Sequence, residues 1–86
     1  RSLGTSQLSD YQLVPNPARA EVQLLNLRED EAVIFRLFDL QGQLVLSGHL
    51  NQDQAMISLR GLARGIYHLE VLQRKGVQQN YRLVKQ

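Results

Sequence analysis

Few side chains in this sequence could do chemistry, and the most suggestive are His49, His68 and Glu70. Imidazole nitrogens and a carboxylate oxygen could together bind a zinc ion. A zinc site, however, needs three or four ligands at close and defined spacing, and the two histidines lie in separate segments of the chain. We therefore interpret all three as polar side chains on the solvent face of a sheet, and we predict no bound metal.

Other catalytic chemistry is also poorly supported by the residue pattern. Ser47 lies two residues from His49, but no third residue that could orient the histidine is near in the sequence. Paired carboxylates occur only in residues 29–31, within a run of charges typical of a solvated turn. The glycines of residues 61–65 precede a segment with strand-like alternation, whereas a phosphate-binding loop precedes a helix. We predict that the chain is not an enzyme and takes no cofactor.

The composition is that of one small globular domain. The chain has 86 residues, of which 43% are hydrophobic and 21% charged, which is enough apolar material for a core. The net charge of +2 is too small to indicate a nucleic-acid or membrane surface, so we expect no nucleic-acid partner. There is no cysteine, and no apolar run approaches the roughly 20 residues that span a bilayer. The chain begins at Arg1 rather than at a methionine, and we expect it to be a piece of a longer protein.

Alternation of apolar and polar residues, rather than a helical period, runs through most of the chain. It is clearest after the glycine-punctuated loop, where Tyr67, Leu69 and Val71 share one face of what we expect to be a central strand. Short alternating segments separated by turn residues every eight to twelve positions favour an all-β, antiparallel, immunoglobulin-like β-sandwich. Residues 1–10 are small and polar and predict a flexible lead-in or interdomain linker, with the sandwich in residues 11–86. The seven predicted strands are residues 11–14, 21–25, 32–39, 44–50, 55–59, 66–71 and 77–84.

The alternation also predicts which residues face outward. Phe38, with Ile34 on the same face, is the one aromatic side chain that we expect to be exposed. In the segment 44–50 we expect Val45 to face the core and Leu46 to face away from it.

Short turn and strand motifs follow one another in a particular order, from a proline-rich bend to the last residues of the chain. This ordered series resembles the C-terminal sorting domain of type IX secretion cargo in Bacteroidetes, and the resemblance covers residues 13–86. The motifs are Pro15-Asn16-Pro17, Leu37-Phe38-Asp39-Leu40-Gln41-Gly42-Gln43-Leu44-Val45, Ile57-Ser58-Leu59-Arg60-Gly61-Leu62-Ala63-Arg64-Gly65-Ile66-Tyr67 and Tyr81-Arg82-Leu83-Val84-Lys85.

The resemblance implies a function and a set of residue roles. The domain would be the address that takes an upstream passenger from the periplasm across the outer membrane to the cell surface or the medium. A translocon would recognise it, and a cell-surface sortase would cut in the linker, near Gly4, Thr5 and Ser6. The recognition segment would be the last strand, at Arg82, Leu83, Val84 and Lys85. The residues that would have structural roles in turns are Pro15, Asn16, Pro17, Asp39, Gly42, Gly61, Gly65 and Tyr67.

Two alternatives remain open at the level of the sequence. One is a structural or adhesive immunoglobulin-like domain, for example a carbohydrate-binding appendage, which would need exposed aromatic side chains where only Phe38 is available. The other is an uncleaved sorting domain retained in a component of the secretion machinery. Because the edges of an open sandwich invite pairing, a homodimer or strand exchange through the terminal strand is also an expectation.

Overall fold

The fold consists of two antiparallel sheets and no helix in the described part of the chain. The structure is a computed structural model, and it describes residues 11–74 and 76–86. A three-stranded sheet has the order β1-β2-β5, and a four-stranded sheet has the order β4-β3-β6-β7. The all-β sandwich of seven strands predicted from the sequence is thus confirmed. The strands are β1 (Gln12–Val14), β2 (Glu21–Leu25), β3 (Ala32–Phe38), β4 (Leu44–Asn51), β5 (Met56–Ser58), β6 (Gly65–Gln73) and β7 (Gln78–Lys85).

The core forms where the inward faces of the two sheets meet. Strand β6 lies inside the four-stranded sheet, between β3 and β7, so the expectation that it is a central strand is confirmed. Its residues Leu69 and Val71 are fully buried, and so are Val22 of β2 and Leu83 of β7. Within residues 11–74 and 76–86, the buried side chains are all apolar except for tyrosines. Burial of apolar surface is therefore the main contribution to the stability of the fold.

A bulge in β4 changes the faces that simple alternation assigns. Leu37 of β3 is opposite Leu46, but the next residue, Phe38, is opposite Leu44, so Val45 is an extra residue in the strand. Both Val45 and Leu46 pack against the core. The prediction for Val45 is confirmed and that for Leu46 is wrong, because one inserted residue shifts the alternation of every residue after it.

The hairpin between β3 and β4 is closed by Asp39. Its Oδ1 atom accepts hydrogen bonds from the backbone N–H groups of Gln41 and Gln43, both at 2.9 Å. Gly42 has a φ of 84°, a left-handed conformation that a residue with a Cβ adopts only at a cost.

The loop before β6 is attached to the strand that follows it. Gly61 and Gly65 have φ values of 88° and 153°, and the Tyr67 hydroxyl donates a hydrogen bond to the Ala63 carbonyl at 2.6 Å. The ring of Tyr67 is buried, so one side chain ties the loop backbone to the core and sets where β6 begins.

No helix among the described residues has the length and apolar character needed to cross a membrane.

Candidate recognition surface

The terminal strand β7 lies at one edge of the four-stranded sheet and pairs with β6 alone among the named strands. Of the four residues expected to be recognised, Arg82 is exposed, and Val84 and Lys85 are partly exposed. Leu83 faces the other way and is completely buried, opposite Tyr67. Three of the four side chains are therefore available to a partner of the folded domain, whereas Leu83 holds the strand in place.

Strand order brings Arg82 into line with Phe38, which the sequence predicts to be exposed and which the structure shows to be half-buried on the outer face. Phe38 on β3 is directly opposite His68 on β6, and His68 is directly opposite Arg82 on β7. The rings of Phe38 and His68 lie 6.3 Å apart between centroids. In the same outer face Ile66 is opposite Val84. We call these five residues (Phe38, Ile66, His68, Arg82 and Val84) the outer-face patch.

The outer face around this patch carries more positive than negative charge. Glu70 is the single acidic residue in the four strands of this sheet, and its Oε1 lies 2.8 Å from Nη2 of Arg36. The Arg36 guanidinium also lies 5.9 Å from the centroid of the Phe38 ring. The residue directly opposite Arg82 is His68, and Glu70, at the diagonal position, is already paired with Arg36, so the patch suits a partner that offers apolar groups and a carboxylate.

The free edge of β7 is partly occupied by the proline-rich bend. The Asn16 side chain behaves like a peptide group: its Nδ2 donates to the Arg82 carbonyl at 2.8 Å, and its Oδ1 accepts from the Val84 N–H at 3.1 Å. Ala18 continues the contact, since its N–H donates to the Val84 carbonyl at 2.8 Å and its carbonyl accepts from the Gln86 N–H at 2.7 Å. We call Asn16 and Ala18 the edge clamp. It is a role for the Pro-Asn-Pro motif that local turn chemistry does not predict.

A second tether holds the start of the sandwich. The Tyr11 hydroxyl donates a hydrogen bond to Oε2 of Glu31 and accepts one from Gln73 Nε2 at 2.7 Å, and the Tyr11 N–H donates to the Tyr81 hydroxyl at 3.1 Å. Burial, together with the hydrogen bond to the Glu31 carboxylate, raises the pKa of Tyr11 to about 12. The folded domain is therefore anchored from Tyr11 onward. Gly4, Thr5 and Ser6, where cleavage is expected, lie outside the described residues.

The residues weighed for chemistry do not come together. His49 is on β4 opposite Ile34, and His68 is two strands away on β6, opposite Phe38. Ser47 is opposite Arg36. In the described ranges, no group of three histidine, aspartate or glutamate side chains is placed to hold a metal ion.

Comparison with protein families adds the deciding observation. Residues 12–86 match the family described as the secretion system C-terminal sorting domain. The chain belongs to this family. The sorting domain is a C-terminal signal for type IX secretion, so it serves an upstream passenger, interacts with secretion machinery, and directs export across the outer membrane to the cell surface or the medium. A search of curated proteins finds no match to the sequence. The sorting-domain family is not an enzyme family.

Proposed function

We propose that the secretion machinery reads the sorting domain as a folded sandwich, through the outer-face patch, with Arg82 as its central contact. The observation that supports this most is the row Phe38–His68–Arg82, which aligns the cation of the terminal strand, across His68, with an aromatic ring from a strand distant in sequence. Val84 extends the apolar part of the patch, whereas Lys85, opposite Gly65, lies on the same face of β7 as the buried Leu83. Leu83 contributes by anchoring β7, because its side chain is buried.

Recognition by side chains suits this domain better than addition of a partner strand to the end of β7. A strand added there would need the N–H and carbonyl groups of Val84 and the carbonyl of Arg82, and the edge clamp already uses these three groups. Strand exchange through β7 would likewise require four hydrogen bonds of the edge clamp to break.

Processing is the second part of the proposal. The domain passes through the periplasm, the translocon carries it with its passenger across the outer membrane, and the sortase cuts ahead of Tyr11, near Gly4, Thr5 and Ser6. The anchoring of Tyr11 to Glu31 and Gln73 supports a boundary at this point, because a cut ahead of it leaves the sandwich contacts intact. The domain itself acts as a signal and not as a catalyst.

The test compares two arginine substitutions in a passenger fused to the sorting domain. Arg82→Glu reverses the charge in the patch, and Arg60→Glu makes the same change at an exposed loop residue outside it. Both side chains are exposed, so both variants should melt within a few degrees of the parent domain. We expect Arg82→Glu to reduce surface delivery of the passenger several-fold and Arg60→Glu to leave it unchanged. Undiminished delivery by a folded Arg82→Glu protein would refute recognition through the patch.

Removing the last four residues is a less informative experiment for this fold. Such a deletion takes away Leu83, which is fully buried, and Val84, which the edge clamp holds. Loss of delivery would then follow from unfolding as readily as from loss of a contact. Point substitutions at exposed positions separate the two causes.

A further inference from the structure

The four-stranded sheet ends in two long edge strands, and the structure protects them unequally. Strand β7 has the edge clamp along its last residues. Strand β4 is as long as β7, and one side of it pairs with β3. On the other side of β4, no described residue forms a hydrogen bond with the stretch from Leu46 to Leu50.

The sequence of β4 also lacks the usual protection of an edge strand. Natural edge strands are kept from pairing by lysine, by other charges, by proline or by being very short. Strand β4 contains no lysine, arginine, aspartate, glutamate or proline, whereas the edge strands of the other sheet, β1 and β5, are three residues long. Its one protective feature is the bulge at Val45, and that leaves the stretch from Leu46 to Leu50 regular.

This stretch is close to symmetric in sequence. Leu46-Ser47-Gly48-His49-Leu50 reads leucine, polar residue, glycine, polar residue, leucine in both directions. If two copies pair antiparallel about Gly48, Leu46 of one copy is opposite Leu50 of the other, and Ser47 is opposite His49. The leucines then meet on the core face and the polar residues on the outer face, with no pair of like charges. A two-fold axis at Gly48 is therefore compatible with the side chains on both faces of the strand.

Gly48 is suited to lie on such an axis. The Phe35 ring covers it from the core side, and a Cβ at position 48 would come within 3.0 Å of the Phe35 ring. A glycine inside a strand often marks a place where another backbone approaches closely. We propose that the partner of this edge is a second copy of the chain, paired through Leu46–Leu50 so that the two four-stranded sheets become one.

This surface is independent of the outer-face patch. Strands β4 and β7 are at opposite edges of the sheet, so pairing through β4 leaves Arg82 uncovered. If the chain does not self-associate, the proposal of recognition through Arg82 is therefore unaffected. If Arg82 is not recognised, the proposal of pairing through β4 is likewise unaffected.

Cysteine cross-linking tests the register directly, since the chain contains no cysteine. The full chain is made as Ser47→Cys and, separately, as His49→Cys. Directly opposed residues of antiparallel strands come within reach of a disulfide bond. We expect a disulfide-linked dimer when the two variants are mixed and oxidised, and little when either is oxidised alone. Cross-linking of Ser47→Cys alone as fast as in the mixture would overturn the register, and with it the proposal.

Charge substitutions provide a second, equilibrium test by sedimentation velocity across micromolar to millimolar chain concentrations. The double variant Ser47→Glu, His49→Glu places two like-charged pairs across the axis and should weaken the dimer roughly 2- to 30-fold. The matched variant Ser47→Glu, His49→Lys places opposite charges there and should restore or strengthen it. A parent chain that stays monomeric throughout, or a dimer equally stable in both variants, would overturn the proposal.

Discussion

Substituting Asn16 with alanine tests the edge clamp most directly. The change removes two hydrogen bonds, from Asn16 Nδ2 to the Arg82 carbonyl and from the Val84 N–H to Asn16 Oδ1, at 2.8 and 3.1 Å. A hydrogen bond contributes about 0.5–1.5 kcal/mol net, and water can replace these two because Asn16 is exposed. We therefore expect local opening at the end of β7 to become easier by about 1–2 kcal/mol.

The assay is amide hydrogen exchange followed by NMR in the full chain. An easing of 1–2 kcal/mol corresponds to a roughly 5- to 30-fold faster exchange of the Val84 amide, if exchange proceeds by local opening. The Gln86 amide should accelerate less, because its acceptor is the Ala18 carbonyl, which the substitution leaves in place. Amides paired between β3 and β6 should keep their protection.

Asn80→Ala is the matched control. Asn80 is an exposed asparagine on the same strand, and its side chain accepts a hydrogen bond from Gln78 rather than contacting the bend. This substitution should leave exchange at Val84 near that of the parent chain. If Asn16→Ala and Asn80→Ala give the same protection at Val84, the edge clamp does not hold β7 and the reasoning fails.

Two further predictions concern the terminal strand and the N-terminal tether. Leu83→Ala should lower the free energy of unfolding by about 2–5 kcal/mol, because it leaves a cavity at a fully buried site. Arg82→Ala should change it by less than about 0.5 kcal/mol, so equal melting temperatures for the two variants would contradict the assigned faces. In the folded chain the Tyr11 hydroxyl keeps its proton up to about pH 12, whereas in the unfolded chain it loses the proton near its ordinary pKa of 10. The contribution of this hydroxyl to the free energy of unfolding is therefore complete below pH 10 and is lost as the pH rises to 12. Urea unfolding measures the difference in free energy of unfolding between the parent chain and Tyr11→Phe, and this difference should shrink by at most about 2.7 kcal/mol between pH 10 and pH 12. A difference that stays constant with pH would contradict the pKa shift.

Most of the fold could be predicted from residue patterns within short stretches of the sequence. Alternation places Leu69 and Val71 on a buried face because side chains of a strand point to opposite sides at each step, whatever the partner strand is. The same rule gives the wrong face for Leu46, since the bulge at Val45 depends on how β4 aligns with β3. That register is a property of two strands and is absent from either one alone.

The candidate site was predicted in part. The terminal strand and the outward face of Phe38 were both recognisable in the sequence, one from the motif series and one from alternation, although Phe38 is half-buried rather than exposed. Their common surface was not, because it depends on β6 lying between β3 and β7. The edge clamp was missed for a related reason: Asn16 has the chemistry of a turn residue, and nothing near it in the chain indicates a contact with Arg82 and Val84.

By itself the sequence determined the class of fold, the count of strands, the core faces of the regular strands and the family, because each of these follows from residue order within short windows. Tertiary structure alone decided which strands are neighbours, and therefore which exposed side chains form one surface and which edge is covered. The physical reason is that a strand has two edges and two faces. Residue order establishes the faces, whereas the edges depend on the free energy of packing the whole chain.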